Sequence, residues 1–289
     1  MTSSISFLGS VNIIGNIYDG KDNKNNQNEN ISAIEVIDDL LIVGADEGRT
    51  IKVLKDDGKG YKVERSILLN DSGEIDIEGI ACEDNIVYVV GSHSYKRDKI
   101  DQNKSYEDNR KAIKNIESNP RRNQLFRLRL DAISEIEQTS LESIIDGEKV
   151  LQLFSRIPSK ENGVDIEGIA VHEGLLYVGF RGPVLRGNWV PILKCRFAQP
   201  ITQADLVFAN LGGRGIRDLT RINDGFLILA GPVGDEPVSY QVHFWNGEDC
   251  LPGERISGKV GLIKLLAEIP VYENIKAEGL ALVKESQLN

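Results

Sequence analysis

Asp76-Ile77-Glu78-Gly79-Ile80-Ala81, Asp165-Ile166-Glu167-Gly168-Ile169-Ala170 and Ala277-Glu278-Gly279-Leu280-Ala281 are three renderings of one short phrase. Recurrence of a strand-like unit at long intervals is the mark of radial or solenoid architectures. Each of the first two phrases runs through a polar turn into a second β-rich run. Ile80-Ala81 leads by Glu83-Asp84-Asn85 to Ile86–Val90, and Ile169-Ala170 leads by His172-Glu173-Gly174 to Leu175–Val178. Two further units follow the same plan without the full phrase. Ile34–Val36 turns at Asp38-Asp39 into Leu40–Val43, and Ile216–Thr220 turns at Asn223-Asp224-Gly225 into Phe226–Leu229. Branched and aromatic runs broken by Asn, Asp and Gly read as antiparallel hairpins.

Additional strands are expected at Thr50–Leu54, Leu125–Leu130, Ile192–Phe197 and Gln241–Trp245, which brings each unit to the four strands of a propeller blade. Counting Ile31, Glu78, Glu167, Arg217 and Glu278 as equivalent starts, the all-β chain is expected to form a five-bladed β-propeller, or a six-bladed one if the long interval from Glu78 to Glu167 hides two blades. The strand Ala277–Val283 is expected to pair with Ile5–Val11 and close the ring as a single domain over residues 1–289. Closure removes exposed sheet edges. Residues 94–123 read as a polar, basic insertion, helical over Glu107–Glu117, between the second and third strands of one blade. Asp22–Asn30 is an Asn-rich surface loop. The apolar stretches Leu151–Pro158 and Ile263–Pro270 echo each other, and their period leaves helix and strand both open.

With 34 basic and 44 acidic residues the chain carries a net charge of −10, which disfavours nucleic acid and anionic lipid as partners. No apolar run reaches the ~18 residues of a membrane span. The first residues lack the basic and apolar regions of a secretory signal. Three cysteines, Cys82, Cys195 and Cys250, lie far apart with no CxxC pair. Reduced thiols and a cytoplasmic location are the expectation, and neither a zinc centre nor a disulfide framework is.

In an antiparallel hairpin the start of the first strand lies beside the end of the second. The repeated glutamates, Gly91-Ser92-His93-Ser94, Gly179–Pro183, Gly44–Glu47 and Gly212-Gly213-Arg214-Gly215 are therefore expected on one rim. The carboxylates Glu78, Glu167, Glu278 and Asp218 are candidate ligands for Ca²⁺ or another divalent cation, with Asp46 nearby; hard cations prefer oxygen donors. Arg181, Arg214 and Arg217 are candidates to hold a small anionic or polyhydroxylated ligand. His93 is the candidate general base for ester or phosphoester hydrolysis, while His172 and His243 sit in a turn and a strand. For Glu78, Glu167 and Glu278 the stronger reading is structural: each is expected to accept backbone N–H groups of its neighbour and so staple the ring. No nucleophile elbow, dinucleotide fingerprint or P-loop is present. The basic insertion (Lys96, Arg97, Lys99, Lys104, Arg110, Lys111, Lys114, Arg121 and Arg122) reads as a solvated lid. A propeller scaffold for a protein or peptide partner is the competing reading.

The Asp-Ile-Glu-Gly-Ile-Ala phrases, Gly91–Ser94 with its basic loop, Asn123–Arg127, Arg181-Gly182-Pro183 and Leu211–Leu219 together resemble a bacterial family catalogued only as a domain of unknown function. The resemblance spans nearly the whole chain and implies a propeller-like fold without a known activity. More distantly, the Glu-Gly-Ile/Leu-Ala phrases are similar to those of phytase-like esterase and gluconolactonase-type propellers. That similarity implies a carboxylate-bound metal on one ring face.

Overall fold

The computed structural model describes residues 9–17, 31–46, 48–71, 73–133, 135–254, 258–270 and 276–283. The Asn-rich loop and the first half of the expected strand Ile5–Val11 lie outside them. The short β1 (Ile13–Ile14) precedes the first blade, which consists of β2 (Ile31–Ile37), β3 (Leu40–Ala45), β4 (Thr50–Asp56) and β5 (Tyr61–Leu68). β1 runs parallel to β5 and covers part of its outer edge. The second blade begins with β6 (Ile77–Glu83) and β7 (Ile86–Gly91). An insertion follows, carrying β8 (Tyr95–Arg97), α1 (Tyr106–Ala112) and β9 (Ile116–Ser118). β10 (Leu125–Arg129) and β11 (Glu137–Thr139) complete that blade, and α2 (Glu142–Gly147) leads onward. The third blade is β12 (Asp165–His172), β13 (Leu175–Gly182), β14 (Trp189–Arg196) and β15 (Ala204–Asn210). The fourth is β16 (Gly215–Ile222), β17 (Gly225–Gly231), β18 (Tyr240–Trp245) and β19 (Ile263–Ile269). Each blade is an antiparallel meander with its first strand innermost.

The propeller has four blades, which corrects the expectation of five or six. The long interval after Glu78 holds the insertion and a helical connection rather than another blade. The last repeat, at Glu278, forms no ladder among the described residues. Instead, residues 276–283 pass once between the first and fourth blades. The Leu280 N–H donates to Asp218 Oδ2 at 2.6 Å, and a Cβ on Gly279 would stand 2.6 Å from Ile34 Cγ2. The count of starts thus registered inner passes of the chain, of which the last lacks outer strands. The two apolar echoes also part company: Leu151–Leu153 is a 3₁₀ turn, whereas Ile263–Ile269 is a strand.

Adjacent blades pack face to face, with inner strands meeting in the order β2, β6, β12 and β16. One apolar layer joins the first two blades through Ile42, Ile51, Ile77, Val89 and Phe126. Ile166, Phe180, Leu193 and residues of α2 join the second to the third. Ile192, Ile216, Phe226 and Trp245 join the third to the fourth. In that last layer Phe226 lies 4.4 Å from the Tyr177 centroid and 5.2 Å from that of Trp245. Each large side chain removed from water in these layers contributes about 1.5–3 kcal/mol. The repeated glycine lets inner strands approach this closely. A Cβ on Gly168 would stand 3.0 Å from the backbone of Asp218 and Leu219, and one on Gly79 would stand 2.9 Å from Ile169 Cγ2.

Candidate functional site

Every inner strand breaks register near its start. The ladder between β6 and β7 pairs Ile77 with Gly91 and then Gly79 with Val90, leaving Glu78 as the extra residue. The same shift leaves Glu167 extra in β12 and Arg217 in β16, and in the first blade it leaves Ser32. A bulge of this kind bends the strand and re-aims one side chain. The four blades therefore present one bulged residue each, Ser32, Glu78, Glu167 and Arg217. Arg181 occupies a matching extra position on β13, between Phe180 and Gly182.

These residues split into two groups. On one side, Glu167 is held between two guanidinium groups: Arg181 Nη1 at 2.6 Å from Oε1 and Arg217 Nη1 at 2.8 Å from Oε2. Arg181 also pairs with Asp165, and Arg217 Nη2 reaches Glu278 Oε1 at 3.0 Å. Both arginines are thus spent on carboxylates, although the Nε–H of each meets no acceptor among the described residues. The other side is acidic. Oxygens of Asp46, Asp76 and Glu78 all lie within 4.8 Å of one another. Asp76 is fully buried in a left-handed conformation (φ 61°). It accepts from Ser92 Oγ at 2.5 Å and from Lys96 Nζ at 2.9 Å, with Arg122 Nε 3.6 Å away. Burial opposes its charge, but Asp46, Lys96, Arg122 and Ser92 hold its pKa down to about 2.

Glu78 has less support. Among the described residues no hydrogen bond or direct ion pair is made to its carboxyl, and the Arg181 guanidinium, committed to Asp165 and Glu167, acts on it only from a distance. It keeps a little exposed surface, yet protein encloses its carboxyl. Burial first, and then the carboxylates of Glu167, Asp76, Asp165 and Asp46, push its pKa well above the usual range. It therefore differs from Glu167 and Glu278, its counterparts in the repeat, which are ion-paired.

Three of the expected site residues are already bonded within the protein. His93 is buried, its Nδ1 lies 2.9 Å from Gly91 O, and its Nε2 accepts the Leu141 N–H at 3.1 Å. With both nitrogens used and burial lowering its pKa to about 4, it pins α2 to the second blade. Asp218 accepts the N–H groups of Leu219 (2.7 Å) and Leu280 (2.6 Å) on its carboxylate. Burial raises its pKa well above normal despite these bonds. Arg214 stands apart from the axial group, with Nε on Ser239 O at 2.8 Å and Nη2 on Ser239 Oγ at 3.0 Å. Asp76, Lys96 and Arg122 join the site without being expected there. Only Asp76 carries a signal in the sequence, an Asp two positions before the Glu that recurs as Asp165.

The family described as a protein of unknown function (DUF3616) matches residues 30–143 and 133–289, almost the whole chain. The chain belongs to this family. No curated protein matches it. Among solved structures, the chain is similar to one in the nidogen/laminin complex, at 11% identity and a TM-score of 0.42, over 87% of this chain and 84% of that one. The computationally designed Ika4 protein is similar at 12% identity and a TM-score of 0.34, over 76% and 93%. The extracellular domain of BT4673 from B. thetaiotaomicron is similar at 13% identity and a TM-score of 0.37, over 81% and 23%. With superpositions this loose the architecture rests on the chain's own ladders, and nothing about activity follows.

Proposed function

We propose that this propeller binds a small ligand at its axial mouth with a divalent cation held by Asp46, Asp76 and Glu78. The observation that carries the reading is the contrast among equivalent residues. Glu167 and Glu278 are matched by arginine, whereas Glu78 stands among like charges without a counter-ion in contact. A buried carboxylate in that state either keeps its proton or takes up a cation. Three carboxylates of this spacing suit a hard cation such as Ca²⁺, whose remaining positions a ligand's oxygens or water can fill. Similarity of the phrases to carboxylate–metal propellers is in line with this. With both ring nitrogens of His93 already hydrogen-bonded inside the protein, the proposal stops at binding and does not extend to ester or phosphoester hydrolysis.

Thermal melting with Ca²⁺, Mg²⁺, Mn²⁺ or Zn²⁺ tests it on the wild type and on Glu78→Gln. One cation is expected to raise the wild-type melting temperature by several degrees at a hundredfold excess over Kd, equivalent to about 2.7 kcal/mol. Glu78→Gln should match or exceed the wild-type apo stability and lose that response. A variant that melts early and a wild type indifferent to every cation would mark Glu78 as a structural residue. The scaffold reading would then lead. Its own support is an apolar patch beside the outer strand of the fourth blade, where Val260 is 73% and Leu262 53% exposed.

A further inference from the structure

The acidic cluster already holds cations of the chain itself, Lys96 in direct contact and Arg122 farther off. Lys96 Nζ sits 2.9 Å from Asp76 Oδ1, on an ammonium arm whose side chain is 42% exposed while Asp76 is fully buried. Lys96 lies in β8, the first strand of the inserted hairpin, so its contact ties the insertion to the mouth. Arg122, where the insertion returns to the blade, approaches the same carboxylate and also binds Glu74 at 2.7 Å. Away from the cluster the hairpin is anchored on the connection before the third blade. Tyr95 bridges to Pro158, and Arg97 Nη2 donates to Glu161 Oε2 at 3.0 Å. Both side chains of that ion pair keep a substantial share of solvent exposure. The hairpin is thus tied to the mouth by Lys96 and to the connection before the third blade by the Tyr95 bridge and one weak surface pair, while Arg122 holds its return to the blade.

We propose that residues 94–123 form a cation-responsive strap, in which Lys96 occupies the acidic cluster until a divalent cation displaces it and releases the hairpin from the axial mouth. This rests on the cation reading above and adds how access to that site is controlled. A divalent cation and an ammonium group cannot both lie against Asp76 without mutual repulsion, so occupancy by one disfavours the other. Coupling of this kind is reciprocal. Anything that loosens the closed strap must tighten cation binding, even at a distance from the cluster.

That reciprocity separates the strap from simple electrostatics. Glu161→Gln removes a negative charge, which by charge alone would weaken cation binding. A strap held by Arg97–Glu161 predicts the opposite, about two- to fivefold tighter binding, in keeping with the worth of an exposed ion pair. Lys96→Met should bind about three- to tenfold tighter, because the competitor is gone. Calorimetric titration of Ca²⁺ and Mn²⁺ into the full chain and both variants gives the affinities. Amide hydrogen exchange over residues 95–118, with and without the same cations, reports the strap. Faster exchange on cation addition, together with tighter binding by Glu161→Gln, supports the proposal. If the cations bind but Glu161→Gln binds equally or more weakly and exchange over 95–118 is unchanged, the strap is wrong and the site stands. If neither the wild type nor Lys96→Met binds any cation, the site itself is wrong and the strap falls with it.

Discussion

Glu78, Glu167 and Arg217 occupy one structural position in three blades, yet their charges are handled in different ways. Glu167 and Arg217 neutralise each other, and Glu78 faces carboxylates. The repeat alone could not tell them apart, because the groups that decide their charge lie elsewhere in the sequence: Arg181 on the neighbouring strand and Arg217 on the next blade for Glu167. His93 shows the same limit. Its place at the end of β7 was legible, but Leu141 as its second partner is 48 residues away. His93→Ala should cost about 2–4 kcal/mol in urea unfolding, from two lost hydrogen bonds and a buried void. It should leave cation affinity unchanged; a variant of undiminished stability would contradict the pinning role. Glu35, in β2, gives a pH signature. Burial raises its pKa from 4.5 to about 7, against the opposing Val36 N–H bond. Between those values the unfolded chain has lost a proton that the folded protein keeps, so this residue makes stability fall as pH rises. Glu35→Gln retains an oxygen for Val36 and should gain on the wild type progressively from pH 4.5 to about 7, by up to about 3 kcal/mol. Equal pH profiles for the two proteins would show that Glu35 ionises normally.

At the scale of strands and turns the sequence was informative where local rules decide. The hairpins were legible from branched runs and from turn pairs such as Asp84-Asn85, both at positive φ as a primed two-residue turn requires. The bulges were not, since nothing local distinguishes a Glu that continues a ladder from one that leaves it. The repeated Gly after Glu was legible as a close-packing residue, and its partner was not. Gly168→Ala would press a methyl against the backbone of Asp218 and Leu219, which cannot yield as a side chain tip can. It should destabilise the protein by about 1–3 kcal/mol or more in chemical denaturation. Gly147→Ala, with open space around the new Cβ, should be neutral or slightly stabilising. Equal effects at the two glycines would remove close blade packing as the reason for the repeat.

Across the whole molecule, the phrase count announced a radial repeat but overstated its blades. Glu278-Gly279-Leu280-Ala281 keeps the inner position of a blade without the three outer strands, and it bonds to Asp218 and packs on Ile34 in the gap between the first and fourth blades. The axial mouth therefore gathers one bulged residue from each blade, a carboxylate from this last pass and two cations from the insertion. Negative groups cluster around Glu78, and Arg181 and Arg217 are bound to Glu167 among them. The most direct test of the account is anomalous diffraction from crystals soaked in Mn²⁺. The expected result is one anomalous peak within about 2.0–2.6 Å of oxygens from Asp46, Asp76 and Glu78, with Lys96 moved off Asp76. A mouth without a peak at millimolar Mn²⁺, with Lys96 still on Asp76, would contradict a cation site at the centre of this propeller.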